Sequence, residues 1–190
     1  GRMLEWTPSK YVDGDICYDC VRWEKEDEVN RNRFLNRSLF VYNDSMQKFM
    51  NRFKFRGDAK LIEALRADWK QFFRSYYRQQ LIVPIPLSKE RMYERGFNQS
   101  YLLAQSASEK VDDILVRPIH SEKQSKKSRK ERVENFFNLF ALKSGCKVEG
   151  KEIILIDDIY TTGTTVRSAA SVLYRHGASR VMSLTFARAI

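Results

Sequence analysis

The last third of the chain carries a succession of strand, loop, helix and strand that restricts the fold more than any other feature. Residues 152–156 are predicted to be a strand buried on both faces, because residues 153–156 form a continuous apolar run, and residues 157–163 are predicted to be a loop. Residues 164–176 have apolar side chains at helical spacing before Gly177, a residue type that often terminates a helix, and residues 181–186 return as a strand. Strands joined through a helix in this way lie parallel, so we predict an α/β fold with a mostly parallel sheet flanked by helices.

The upstream residues supply the other elements of what we expect to be one domain. In chain order, the pattern predicts a strand at 38–42, helices at 46–53 and 58–77, a strand at 81–85, a basic turn at 89–96, a helix capped by Asn98 and a strand at 114–116. After Pro118, a lysine-rich stretch to Glu134 is predicted to be a mobile loop. We expect residues 37–190 to form the domain and residues 1–36 to form a small N-terminal accessory segment.

Charge and hydropathy narrow the class of function. The formal net charge of +10 attracts anionic partners such as phosphorylated metabolites or nucleic acid, although a basic surface that serves only solubility is an alternative. The apolar runs are strand-sized, far below the roughly 20 residues that cross a bilayer. The N-terminus lacks the profile of a secretory signal. We therefore expect a cytoplasmic protein without membrane insertion.

A loop at the end of the strand at 152–156 carries the residues that predict chemistry. Helix N-termini at the carboxyl ends of parallel strands bind anions, and this loop offers hydroxyl donors and a glycine that permits close backbone approach. Its residues are Thr161, Thr162, Gly163, Thr164 and Thr165. The two preceding carboxylates, Asp157 and Asp158, would repel a phosphate unless they bind sugar hydroxyls and Mg²⁺.

Two interpretations of this segment stay open at this point: a site for a phosphorylated sugar, or an ordinary turn. Neighbouring strand residues face opposite sides, so Asp157 and Asp158 can both contact one ribose only if Asp158 has left the strand. The plainer alternative is an Asp-rich turn with threonine caps, as found at many helix starts.

Two motifs in the correct order resemble a known family. Residues 154–165 resemble the phosphoribosyl pyrophosphate signature of type I phosphoribosyltransferases. Residues 83–91 and 95–99 resemble the ComF (ComFC) competence proteins, which act in bacterial natural transformation. The resemblance implies a type I phosphoribosyltransferase fold that binds phosphoribosyl pyrophosphate and Mg²⁺.

The resemblance also implies a role for each site residue. The 5′-phosphate would lie on residues 161–165, and Asp157 and Asp158 would hold the ribose hydroxyls and support the Mg²⁺. The pyrophosphate loop would follow the strand at 81–85, with contributions from Pro86, Leu87, Ser88, Arg91 and Arg95. Surface arginines without a ligand are the alternative for Arg91 and Arg95.

For activity, the resemblance leaves two hypotheses. The first is a pyrophosphate-releasing phosphoribosyltransferase, or a protein that only binds its ligand; the acceptor is not specified by the sequence. The second is an accessory protein of DNA uptake without transferase activity, which binds single-stranded DNA or acts as a scaffold beside a ComFA-like helicase-type ATPase. Single-stranded DNA would suit basic side chains that contact its phosphates and aromatic rings that stack on its bases. The sequence offers basic clusters at 52–56 and 123–132 and the interleaved Phe53, Phe55, Phe136 and Phe137, although such phenylalanines more often belong to the core.

The N-terminal cysteines predict half of a metal site. Cys17 and Cys20 form one CxxC pair, whereas a structural Zn²⁺ takes four ligands and the chain has no second pair. ComF proteins usually carry further pairs upstream, so the chain departs from the family pattern here. We expect Zn²⁺ in a full-length form of the protein, and not in these residues alone.

Overall fold

The computed structural model describes residues 12–13, 16–17, 34–55, 59–118 and 139–189, and within them the central feature is a four-stranded parallel sheet. Numbered in chain order, its strands lie side by side as β3 (Leu35–Val41), β8 (Arg180–Arg188), β7 (Glu152–Tyr160) and β4 (Leu81–Pro84). Two short antiparallel pairs accompany this sheet: β1 (Val12–Asp13) with β2 (Ile16–Cys17), and β5 (Leu115–Val116) with β6 (Ala141–Leu142). The predicted α/β fold with a parallel sheet is confirmed.

Helices cover both faces of the sheet. In chain order they are α1 (Asp44–Phe55), a 3₁₀ helix (Ala59–Leu65), α2 (Arg66–Tyr76), α3 (Lys89–Arg95), α4 (Gln99–Ala107) and α5 (Thr164–Arg175). On one face, Ile154 and Ile156 share a core with α1, α2 and α4, and on the other face Ile153 and Leu155 pack with α5. Burial on both faces is what the continuous apolar run of β7 predicts.

The sequence predictions for β3, β4, β5, β8 and α4 hold with shifted ends. Strand β3 begins at Leu35, where its pairing with Met182 of β8 starts, and so it begins before the predicted position 38. Helix α4 follows Asn98, whose side chain accepts hydrogen bonds from the N–H groups of Ser100 and Tyr101, as expected of a cap. The predicted loop at 119–134 lies outside the described residues, as does most of the segment 1–36.

Three predictions of local structure are wrong. Residues 89–95 form helix α3 and not a turn, because Ser88 caps its start and Gly96, at φ 72°, ends it in the left-handed conformation. The predicted single helix at 58–77 is a 3₁₀ helix followed by α2, with Leu65 outside helical geometry at φ −117° and ψ 11°. Strand β7 runs on to Tyr160, because its pairing with β8 continues to Arg188.

No helix in the described part of the chain is long and apolar enough to cross a membrane.

Candidate functional site

The candidate site lies where β7 passes into α5. Strand β7 ends at Tyr160, helix α5 begins at Thr164, and a cleft opens over the turn between them. The cleft is lined by Asp157, Ile159, Tyr160, Thr161, Gly163, Thr164, Thr165 and Val166. The predicted acidic residue Asp157 and most of the phosphate loop, defined as residues 161–165, therefore share one surface at a helix N-terminus, where unpaired N–H groups favour an anion.

Gly163 gives the phosphate loop its close packing. Its φ of 79° is left-handed, and a Cβ placed on it would come within 2.7 Å of Cζ of Tyr160. The Tyr160 ring cannot withdraw easily, because it is 2% exposed and the Arg188 guanidinium lies over it at 5.0 Å. The exposed hydroxyl groups of Thr162 and Thr164 lie 2.9 Å apart on the outer side of the turn. Only glycine fits this position without a shift of the ring.

Asp157 is buried at the base of the cleft. Its Oδ1 accepts hydrogen bonds from the Ser100 hydroxyl at 3.0 Å and from the Asp158 N–H at 2.9 Å. Burial, and then the charge of Asp158, raise the pKa of Asp157 to about 7, while these two hydrogen bonds and Lys54 act in the opposite direction. Near neutral pH, this carboxyl group therefore exchanges readily between its protonated and ionised forms.

Asp158 is held by a residue of α1, whereas Asp157 is held by Ser100 of α4. Its Oδ1 accepts the Ile159 N–H at 2.6 Å, and its Oδ2 forms an ion pair with Nζ of Lys54 on α1 at 2.8 Å. Asp158 has not left the strand, because β7 extends beyond it to Tyr160. The condition under which both carboxylates contact one ribose is therefore not met in this arrangement.

The predicted pyrophosphate loop lies at the neighbouring strand end. Pro84 of β4 pairs with Ile156 of β7, and the Ile85 N–H donates to the Ile156 carbonyl at 2.9 Å. Pro86, Leu87 and Ser88 follow directly, and the Ser88 hydroxyl accepts the Arg91 N–H at 3.3 Å as the cap of α3. The loop is thus fixed to the sheet beside the cleft.

The two predicted arginines have different surroundings. Arg95 is half-buried and donates from Nη1 to Oε1 of Gln99 at 3.0 Å, so its guanidinium is engaged by α4. Arg91 is exposed and lies within electrostatic range of Arg117, a residue that sequence reasoning missed. Burial first and Arg91 second lower the pKa of Arg117, whereas Asp157 raises it. Arg117 follows the two-residue strand β5, and nothing in the local sequence singles it out.

The residues present suit a Mg²⁺ ion that is shared with a ligand. No cluster of three or more His, Cys, Asp or Glu side chains occurs among the described residues. Mg²⁺ typically binds through one or two carboxylates, with waters and substrate phosphates completing its shell. Asp157, beside a loop suited to phosphate, meets that requirement. For Zn²⁺, only the backbone of Cys17 is described, and Cys20 lies outside the described residues.

Comparison with known proteins gives several matches. Residues 94–190 match the family described as "Phosphoribosyl transferase domain". The chain is 43% identical to competence protein ComFC of Bacillus subtilis over 91% of this chain and 72% of that protein. It is 36% identical to competence protein ComFC of Streptococcus pneumoniae over 90% and 74% of the two chains. It is 34% identical to DNA utilization protein YhgH of Escherichia coli over 53% and 45%.

Among solved structures, a hypoxanthine phosphoribosyltransferase from Staphylococcus aureus aligns over 67% of this chain and 73% of its own, at 14% identity and a TM-score of 0.38.

Proposed function

The chain belongs to the ComFC family of competence proteins and contains a phosphoribosyl transferase domain, and on this basis we propose that its site binds phosphoribosyl pyrophosphate together with Mg²⁺. The role of the protein is in bacterial competence, the property for which its relatives are named. The binding of this ligand is the step that we assign to the cleft between β7 and α5.

One observation carries the proposal: the phosphate loop and a buried carboxyl group line the same cleft at the start of α5. Gly163 brings the loop backbone against Tyr160 just before the first turn of the helix. Free N–H groups at a helix N-terminus and nearby threonine hydroxyls are suited to a 5′-phosphate. Asp157 is suited to ribose hydroxyls, since a carboxylate accepts two hydrogen bonds without geometric strain.

A pyrophosphate group would extend from the ribose towards the end of β4. Arg91 and Arg117 interact electrostatically there, and two neighbouring guanidinium groups repel each other unless an anion lies between them. Bound Mg²⁺ would offset the charge of the pyrophosphate and of the adjacent carboxylates. Transfer would then break the bond between C1 of the ribose and the pyrophosphate oxygen, with an acceptor supplying the new bond.

Calorimetry in the presence of Mg²⁺ tests the proposal directly. We expect the native chain to bind phosphoribosyl pyrophosphate and the Asp157→Asn, Asp158→Asn double variant to lose at least about 100-fold in affinity, because charge-assisted hydrogen bonds to the ribose and support for the metal are both removed.

The control is a double variant with the same change of charge, Asp44→Asn with Asp68→Asn. Both of these carboxylates are exposed in the first turns of α1 and α2. The control should bind like the native chain. A folded native chain that does not bind the ligand would contradict the proposal, and so would an equal loss in both double variants.

A second candidate function is the binding of single-stranded DNA, and the exposed side chains of α3 favour it. Tyr93 is 92% exposed, Met92 is 46% exposed, and α3 has no buried residue. Lys89 and Arg91 lie on the same short helix. An exposed aromatic ring beside cations suits base stacking combined with phosphate contact. Phe53, a stacking candidate from the sequence, is 2% exposed and packs on Phe97, so it belongs to the core.

Substitution of Tyr93 tests this second function. We expect Tyr93→Ala to weaken binding of a fluorescent oligothymidine by about 5- to 150-fold, the range for loss of one stacked base. Phosphoribosyl pyrophosphate binding should stay unchanged. The control is Tyr76→Ala, since Tyr76 belongs to a different helix, α2, and its ring packs on Phe72. Fluorescence anisotropy at rising salt concentrations gives the DNA affinity of each variant. Unchanged DNA binding in Tyr93→Ala would exclude α3 as the DNA-binding surface.

A further inference from the structure

Asp157 and Asp158 are here called the acidic pair. Among the described residues, Lys54 is the one cation that forms an ion pair with it. The distance between Nζ and Oδ2 of Asp158 is 2.8 Å, and the two side chains are only 16% and 15% exposed. An ion pair with this little exposure is screened weakly by solvent, unlike a surface salt bridge. The contact is therefore strong enough to decide where the Asp158 carboxylate points.

The position of Lys54 is fixed by the core. It lies in the last turn of α1, directly after residues that anchor the helix: Met50 and Phe53 are buried, and Phe53 packs against Phe97 with ring centroids 5.7 Å apart. A lysine in the last turn is also favoured by the negative end of the helix dipole. The ammonium group is thus held in place by α1 and does not depend on a ligand.

The two carboxylates have unequal capacity for a ligand. Both oxygens of Asp158 are engaged, Oδ1 by the Ile159 N–H and Oδ2 by Lys54. The hydrogen bonds of Asp157 both go to Oδ1, and Asp157 is the acidic residue that lines the cleft. The side chain that faces the phosphate loop is therefore Asp157.

We propose that Lys54 is a positioning residue that serves as the permanent counter-ion of Asp158, so that Asp157 alone faces the ligand and its Mg²⁺. With Lys54 in place, the acidic pair and its counter-ion carry at most one net negative charge. That charge is too small to hold a divalent cation firmly before the phosphates arrive. The metal is then recruited with the ligand. This inference rests on the proposed ligand site, but its test does not use the ligand.

The test is metal binding without phosphoribosyl pyrophosphate, with Mn²⁺ as a spectroscopic substitute for Mg²⁺. Lys54→Met keeps the apolar stem of the side chain and removes the charge. We expect it to bind Mn²⁺ at least about tenfold more tightly than the native chain, because the acidic pair then lacks a counter-ion. Lys48→Met is the matched control, since Lys48 is exposed on the same helix, and it should bind like the native chain.

A purely structural role for Lys54 would lower stability without raising metal affinity, and that outcome would overturn the proposal. Thermal unfolding shows whether Lys54→Met is folded. If it is not, Lys54→Gln takes its place, because glutamine can still donate a hydrogen bond to Asp158. The expected gain in Mn²⁺ affinity is the same. Lys54→Arg keeps the charge and should keep the native metal affinity. If the native chain fails to bind phosphoribosyl pyrophosphate while Lys54→Met gains metal affinity, the proposed function fails and the assignment of Lys54 as counter-ion stands.

Discussion

The carboxyl group of Asp157 shows how one residue links the site to the stability of the fold. Its pKa is raised from 3.8 to about 7 by burial and by Asp158. In the unfolded chain the group titrates near its ordinary value, so between these two pH values only the folded protein holds the proton. The contribution of Asp157 to stability is therefore fully present below about pH 4 and is lost as the pH rises through about 7.

Asp157→Asn removes this titration and should change the pH dependence of unfolding. We expect the free energy of unfolding of the variant, relative to the native chain, to rise by about 2–3 kcal/mol between pH 5 and pH 8. Urea unfolding in a chelating buffer without divalent cations measures it. The exposed Asp68→Asn should give a difference that is flat over the same range. A flat difference for Asp157→Asn as well would mean that its carboxyl group titrates normally in the folded protein.

At the scale of elements, the turn from β7 into α5 depends on backbone conformation and on one ring. Gly163 and Gly145 have nearly equal left-handed φ values, 79° and 81°, but a Cβ on Gly145 would meet nothing within 4 Å. Comparing alanine at the two positions therefore separates backbone strain from contact with Tyr160. Both variants lose about 1 kcal/mol or more through strain.

We expect Gly163→Ala to lose a further 1–3 kcal/mol or so in denaturant unfolding, because the Tyr160 ring has to shift within a packed core. It should also weaken phosphoribosyl pyrophosphate binding by more than about tenfold, since the same shift moves the phosphate loop. Gly145→Ala should bind normally. Equal unfolding energies and normal ligand binding in both variants would show that the contact with Tyr160 has no role in the loop.

The elements that the sequence predicted well are those with a strong periodic signal. Strand β7 has four consecutive residues exposed by 1% or less, Ile153, Ile154, Leu155 and Ile156, and α5 has a buried face along most of its length. Helix α3 has no buried residue, so it lacks the apolar spacing that reveals a helix. Its cap Ser88 and its terminating Gly96 were the signals available for it.

At the scale of the whole molecule, the site combines residues that local patterns reveal with residues that only the topology brings in. Asp157 and the phosphate loop lie in one short stretch of the chain and could be found from the sequence. Lys54, Ser100 and Arg117 come from other elements, and the sheet and its helices place them beside Asp157. No spacing rule relates such residues, because their separation along the chain depends on the lengths of the intervening elements. Prediction from the sequence therefore found Asp157 and the loop at 161–165, which line one cleft in the structure. It gave Lys54 only as part of a basic cluster, and it missed Ser100 and Arg117.

The order of the strands also governs when the protein can fold during its synthesis. Strand β3 is the first of the main sheet to leave the ribosome, and its neighbour among the described strands is β8, the last. The hydroxyl groups of Ser38 and Thr185, 2.6 Å apart in the folded protein, are separated by 147 residues along the chain. Until β8 emerges, β3 has no partner in the sheet, and an unpaired strand edge is prone to associate with other chains. Folding of the sheet is thus completed only after β8 has left the ribosome.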